Sequence, residues 1–272
     1  LFDQGQIGTS DAQNVSENLR GAGDDYLGYW FINSNEMKKQ LLAQGIGISY
    51  VDDGGVYADR LQKFAKGEYD FITLPINSYL KHGAPHKFPG VIVAAISESK
   101  GADGACGYVT SGSVNDLNNA NLRFVYTADS PSEFLIGMTI ADFDLDQLKR
   151  NRSWAIEVNS ARDVLEKAKK REGDVFVLWE PLLSEALDLK GMKYIWGSDK
   201  FAGYIIDVFV FSRKIVDKKP ELVQNFLRSY FRTLDVYANN REQMIKEMKS
   251  STSKSKDQIE TMLKKIDWFD LH

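Results

Sequence analysis

The sequence is poor in the residues that mark the most easily recognised protein classes. Its 272 residues include one cysteine, three histidines and six prolines. The lone Cys106 excludes an intrachain disulfide and any zinc or iron–sulfur site built from several cysteines. No apolar run approaches the roughly 20 residues that a membrane-spanning helix needs. We therefore expect a protein without a metal, a cofactor or a membrane span.

An excess of basic charge is missing as well. The formal net charge is -4, so the chain has no electrostatic footprint of a nucleic-acid-binding protein. Its first residues lack the basic start and apolar core of a signal peptide, which fits a cytosolic protein or a mature or excised fragment. We expect a monomer.

Catalytic motifs are also scarce. The sequence has no GxSxG, HExxH, P-loop or complete GxGxxG motif. His82 and His86 have the spacing of a metal pair on a helix, but Gly83 and Pro85 favour a surface loop. Cys106 lies in an apolar context and is expected to be buried and inert. Nothing in the sequence supports an enzyme.

Strand and helix patterns do alternate along the chain, which predicts an α/β fold with mostly parallel sheets flanked by helices. The apolar run Tyr26–Ile32 is predicted to be the first strand, and Ser34 to cap the first helix. The rhythm restarts near residue 112, so two lobes are predicted. The expected division is an arm at 1–24, a first lobe at 25–108 and 205–272, and a second lobe at 109–204.

Polar and aromatic residues recur where predicted strands end, the edge at which ligands bind in open α/β sheets. One further acid, Asp207, interrupts an apolar strand, where it is costly unless it is paired or reaches a polar cavity. The candidate ligand-binding residues are Tyr29, Trp30, Asp53, Asn77, Ser97, Ser99, Asp103, Ser130, Ser132, Trp179, Glu180 and Asp207.

Several of these candidates also have a structural interpretation. Tyr29 and Trp30 would point to opposite faces of a strand, so at most one of them faces a cleft. Ser130 and Glu133 have the spacing of a capping box. Asp207 is explained equally well by capping a helix or pairing with a lysine.

A set of short motifs, in order over residues 26–268, resembles the extracytoplasmic solute-binding proteins for nitrate, sulfonates, taurine and thiamine precursors. The segments that carry the resemblance are Gly67–Asp70, Glu172–Val175, Trp179–Pro181, Lys219–Val223 with Ala238–Asn240, and Ser97–Gly104. The proline that usually follows the first-strand aromatics is absent at Ile32–Ser34.

The resemblance implies a type II periplasmic-binding fold, which captures a small ligand in an interlobe cleft and delivers it to an ABC permease. Closure is expected about two crossover segments, near 106–112 and 202–208. Two alternatives stay open: an enzyme of the pyrimidine-precursor type on the same fold, and a sensing or cell-envelope module without transport. The acids and aromatics favour a cationic or polyhydroxy ligand with a stackable ring over nitrate or sulfonate.

Overall fold

A computed structural model describes residues 15–109 and 113–270, which form two β-sheets flanked by helices. The strands are β1 (Glu17–Gly23), β2 (Ile46–Asp52), β3 (Phe71–Pro75), β4 (Gly90–Ser99), β5 (Asp103–Gly107), β6 (Phe124–Thr127), β7 (Ala155–Val158), β8 (Val175–Trp179), β9 (Lys193–Gly197), β10 (Ile206–Ser212) and β11 (Ile266–Trp268).

Eleven α-helices among the described residues cover the sheets. They are α1 (Asn35–Leu42), α2 (Tyr57–Ala65), α3 (Ile76–Gly83), α4 (Pro131–Asp142), α5 (Asp146–Lys149), α6 (Ala161–Lys170), α7 (Leu182–Leu187), α8 (Arg213–Lys218), α9 (Pro220–Asn239), α10 (Arg241–Thr252) and α11 (Lys256–Leu263). None of these helices is long and apolar enough to cross a membrane. Helix α11 begins with a capping box formed by Ser255 and Gln258.

The two sheets share one topology. The first has the order β2-β1-β3-β10-β4-β11, and the second has the order β7-β6-β8-β5-β9. In each sheet three parallel strands lie beside one antiparallel strand, which is β10 in the first sheet and β5 in the second. Each of these antiparallel strands is the first strand that the chain forms after it crosses from the other sheet. The predicted α/β class and two-sheet organisation are therefore confirmed.

The first strand is not where the sequence pattern placed it. Glu17–Gly23 is the parallel strand β1, so residues 15–24 are not an arm, and residues 1–14 lie outside the described part. The apolar run predicted as a strand is instead a 3₁₀ helix, Leu27–Asn33. Periodicity cannot separate a short buried helix from a buried strand. Here the run is buried on all sides rather than paired in a sheet.

The crossings between the sheets also differ from expectation. β4 ends at Ser99 and β5 begins at Asp103, so the first crossing is at 100–102. The predicted hinge at 106–112 is wrong at its start, because residues 106 and 107 pair within the second sheet, while 110–112 lie outside the described residues. The return crossing spans 198–205, between β9 and β10.

Aromatic packing joins the 3₁₀ helix to the C-terminal helices. Trp30 and Phe31 both contact the Tyr237 ring on α9, with centroid distances of 5.5 and 5.7 Å. The Trp268 indole nitrogen on β11 donates to the Gly28 carbonyl at 3.0 Å. One hydrophobic cluster runs through this helix into both sheets, so it holds the two halves of the molecule together.

Candidate functional site

The loops that follow the parallel strands of one sheet face those of the other, and we call the region between them the cleft. Arg162 of α6 reaches across it to Asp25, which follows β1, with 2.5 Å between Nη2 and Oδ2. His82 Nε2 lies 2.9 Å from the carbonyl oxygen of Asp129, which follows β6. The Leu27 amide donates to the Glu180 carbonyl at 3.2 Å. Contacts therefore close the cleft along several sides.

A buried ion cluster forms the first wall of the cleft. The guanidinium of Arg60, fully buried on α2, donates from Nε to Asp53 at 2.7 Å and from Nη2 to Asp24 at 3.0 Å. It also donates to the Thr73 carbonyl at 2.6 Å and lies 4.8 Å from the centre of the Tyr57 ring. Burial raises the pKa of Asp24, and the Arg60 charge opposes that shift. Both carboxylates thus engage the same cation.

Asp207 forms the second polar centre, on the antiparallel strand β10. It is 1% exposed, and it accepts hydrogen bonds from the hydroxyls of Tyr29 and Ser97. Burial raises the pKa of Asp207 well above its usual range, and nearby Asp103 and Asp24 raise it further. The expected lysine pair or helix cap is not what holds this carboxyl: its partners are hydroxyl groups.

Asp103 lies beside Asp207 at the start of β5. Its backbone amide donates to Ser99 Oγ at 2.9 Å, and Ser99 in turn bonds to Ser198 at 2.7 Å. Burial raises the pKa of Asp103 to about 7, with Asp24 and Glu180 adding to the shift. Opposite Asp103 on the neighbouring strand is Trp179, whose ring packs over Gly55 from the first sheet.

Two predicted ligand residues are occupied by the protein itself. The Trp30 indole nitrogen donates to Ser251 on α10 at 2.8 Å, so this ring belongs to the packing of the C-terminal helices. The buried Glu180 carboxylate accepts from the Ser184 amide at 3.1 Å and from Lys265 Nζ at 2.6 Å. The position before Pro181 thus directs Glu180 onto the start of α7 and not outward. We leave both residues out of the candidate site.

Three candidate residues, Ser130, Ser132 and Asn77, lie at the starts of the helices that follow β6 and β3. Ser130 caps α4, accepting from the Ser132 amide at 3.1 Å and donating to the Thr127 carbonyl at 2.6 Å, so its cap role is confirmed. Ser132 itself is free of such a role. Asn77 lies in the first turn of α3 and is half-buried.

Several buried polar atoms at these strand ends have no hydrogen-bond partner in the described protein. They are Ser78 Oγ, Thr127 Oγ1, Ser132 Oγ, Trp179 Nε1 and the half-buried Asn77 Oδ1. The Tyr26 hydroxyl belongs with them: it lies beside Ser97 and Ser99 without a hydrogen bond of regular geometry. An unsatisfied buried polar group costs about 1–3 kcal/mol. Concentrating them at one place is typical of a binding site.

Sequence reasoning missed part of this site. Asp24 was hidden in the expected arm, and His82 lies 9% exposed on α3, stacked on Tyr57, and not in a surface loop. Arg60 had a detectable signal, because its spacing from Tyr57 and Phe64 places it on the apolar face of α2. Among residues 15–109 and 113–270, no three His, Cys, Asp or Glu side chains are grouped so as to hold a metal ion.

Comparison with solved structures establishes the fold. The alkanesulfonate-binding protein SsuA from Xanthomonas axonopodis pv. citri, bound to MOPS, superposes with a TM-score of 0.77 at 15% identity, over 94% of this chain and 87% of that chain. SsuA from Escherichia coli gives 0.73 at 16% identity, over 94% and 82%. The nitrate-binding protein NrtA from Synechocystis PCC 6803 gives 0.66 at 13% identity, over 90% and 69%.

The chain therefore has the periplasmic-binding-protein fold that its sequence motifs resemble. No protein-family model matches the sequence, and no curated protein matches it significantly. In each sheet the antiparallel strand lies between the third and fourth parallel strands.

Proposed function

We propose that this protein is an extracytoplasmic solute-binding protein that captures a small molecule in the cleft and presents it to an ABC permease. The superposed proteins support this role: two bind sulfonates, and a third is described as the ligand-binding component of an ABC-type import system from Staphylococcus aureus. That these neighbours are binding proteins supports binding, and not catalysis, as the role of the cleft.

The observation that carries the proposal is the set of unpartnered polar groups at the facing strand ends. Ser78, Thr127, Ser132 and Trp179 are each at most 2% exposed. They come from both halves of the molecule: Thr127 and Trp179 end β6 and β8, while Ser78 and Ser132 lie in the helices that follow β3 and β6. A bound solute with matching donors and acceptors satisfies them together and so favours the closed arrangement.

The crossings at 100–102 and 198–205 are the segments about which we expect the lobes to rotate. Opening breaks the contacts that bridge the cleft, chiefly the Arg162–Asp25 ion pair and the His82–Asp129 hydrogen bond. The Arg162 side chain is half-exposed, so its ion pair contributes little, and a single hydrogen bond contributes about 1 kcal/mol. The solute therefore supplies much of the free energy that holds the lobes closed.

Native mass spectrometry of the purified protein tests the proposal, because a captured solute adds a discrete mass. Ser132→Ala and Thr127→Val should reduce the bound fraction. Ser250→Ala, an exposed serine on α10 that bonds only within its own helix, is the control and should not. Small-angle scattering should show a smaller radius of gyration for the loaded protein. No bound mass, together with an unchanged radius across a solute library, would reject the proposal.

A further inference from the structure

Resting on that proposed function, we propose that the cleft takes a small organic cation that also carries a hydrogen-bond acceptor. The geometry sets buried carboxyl groups without a cationic partner beside buried donors without an acceptor.

The carboxyl groups outnumber the cations in the cleft. Arg60 is the buried cation of the first wall, and its guanidinium is already engaged by Asp24 and Asp53. Lys265 is likewise engaged by Glu180, at 2.6 Å. Asp103 and Asp207 remain, and hydroxyl groups are their hydrogen-bond partners among the described residues. Neutral donors do not offset the charge of a buried carboxylate, so both groups hold a proton more tightly than usual until a cation offsets that charge.

One unpartnered donor, the Trp179 indole, lies next to these acids, and two more lie on neighbouring elements of the second sheet. Trp179 pairs directly with Asp103 across β8 and β5, and its indole N–H can only donate. Thr127 ends the neighbouring strand β6, and Ser132 lies in the first turn of α4. A ligand that lies between these groups meets carboxyl oxygens on one side and donors on the other. Its matching chemistry is an amine or quaternary ammonium bearing a hydroxyl, carbonyl or carboxylate oxygen.

A simple anion fits this arrangement poorly. A sulfonate placed next to Trp179 would lie close to Asp103 and would require that carboxyl to stay protonated, because like charges in a buried site repel strongly. The arginine that could offset this repulsion is held by two carboxylates. The chain thus keeps the fold of sulfonate-binding proteins with a cleft of opposite electrostatic preference.

Protons should compete with such a cation. Three carboxyl groups interact electrostatically with Asp103: Asp24 after β1, Glu180 after β8 and Asp207 on β10. The hydroxyl groups that face it from the packed elements are those of Tyr26, Tyr57 and Ser99. Arg60 and Lys265 are the cations behind Asp24 and Glu180. Burial raises the pKa of Asp103 to about 7, so its carboxyl group holds a proton below that pH. Cation binding must release that proton, so affinity rises with pH until Asp103 is ionised.

Isothermal titration calorimetry with three probes tests the inference. Choline carries a quaternary ammonium and a hydroxyl, 3,3-dimethylbutan-1-ol is its neutral carbon isostere, and MOPS represents the sulfonates. We expect choline to bind tightest, by at least about tenfold over the isostere, or about 1.4 kcal/mol. Below pH 7 the Kd of choline should fall about tenfold for each unit by which the pH rises, which is the limit for the release of one proton.

Two variants locate the effect. Asp103→Asn and Asp207→Asn should each weaken choline binding by about tenfold or more, and Asp103→Asn should also flatten the pH dependence. The control is Asp144→Asn, an acid whose side chain is 84% exposed and pairs with Lys149. It should bind choline like the parent protein.

Each remaining outcome rejects the inference. Equal binding of choline and its isostere would show that charge is not recognised. Tighter binding of MOPS with cleft closure would leave the solute-binding function standing and reject the cation. If choline fails to bind at millimolar concentration, the cation inference fails by itself, and the native mass measurement then decides whether the solute-binding function fails with it.

Discussion

Removing the positive charge of Arg60 should destabilise the protein strongly. Arg60→Met keeps an unbranched apolar stem on α2 but deletes the guanidinium that donates to Asp24, Asp53 and the Thr73 carbonyl. Asp24 and Arg60 are at most 1% exposed, so water cannot replace the lost partner. Breaking one side of a buried ion pair costs about 3–5 kcal/mol. For a chain of this size we expect a fall in Tm of about 10 °C.

The measurement is chemical denaturation of the parent and variant proteins, with Lys63→Met as the matched control. Lys63 lies on the same helix and pairs with Asp59 at 2.7 Å, but both side chains are more than one-third exposed. Such an exposed pair contributes little to stability, because water and salt screen it. If Arg60→Met loses no more stability than Lys63→Met, the reasoning about a buried ion cluster is refuted.

The effect of pH gives a second check on the same variant. Without Arg60, burial should hold Asp24 protonated in the folded state while it ionises in the unfolded state above about pH 4. The penalty therefore grows as pH rises through that value and shrinks as pH falls towards it. Adding Asp24→Asn to Arg60→Met should recover part of the lost stability at neutral pH, because it removes a carboxyl that must take up a proton on folding.

Three other changes have defined outcomes. Tyr29→Phe removes the hydroxyl that donates to Asp207, and we expect urea unfolding to show a loss of about 1–3 kcal/mol; an unchanged midpoint would contradict the role of this bond. The raised pKa of Asp103, about 7, means that the folded state holds a proton which the unfolded state has lost. The free energy of unfolding should therefore fall by up to about 4 kcal/mol from this group as pH rises from 4 to 7, and a slope that persists in Asp103→Asn would assign it elsewhere. Burial raises the pKa of the Cys106 thiol to about 12, so a thiol reagent should label it only on unfolding, and fast native labelling would refute its burial.

Local patterns in the sequence predicted most elements of the fold, because they depend on residues close together in the chain. Helix α1 begins at the predicted cap Ser34, whose hydroxyl accepts from the Met37 amide at 3.2 Å. The apolar strand that Asp207 interrupts is present as β10. The burial of Cys106 is confirmed as well.

Strand β1 shows where local pattern fails. Its sequence from Glu17 to Gly23 has little apolar character, and two of its residues are glycines. Their role depends on distant side chains: a Cβ at Gly21 would overlap the Phe71 ring, and one at Gly23 would overlap the Tyr50 hydroxyl. A requirement for space cannot be detected until the neighbouring strands are in place.

The composition of the candidate site was likewise only half determined by the sequence. Asp103 and Trp179 were predictable from their places beside predicted strands, and Asp207 from the cost of an acid within an apolar strand. Which of the acids lacked a cation did not follow, since pairing joins residues far apart in the chain. Lys265 neutralises Glu180 and Arg60 engages Asp24 and Asp53, and only the tertiary structure brings those charges within 3 Å.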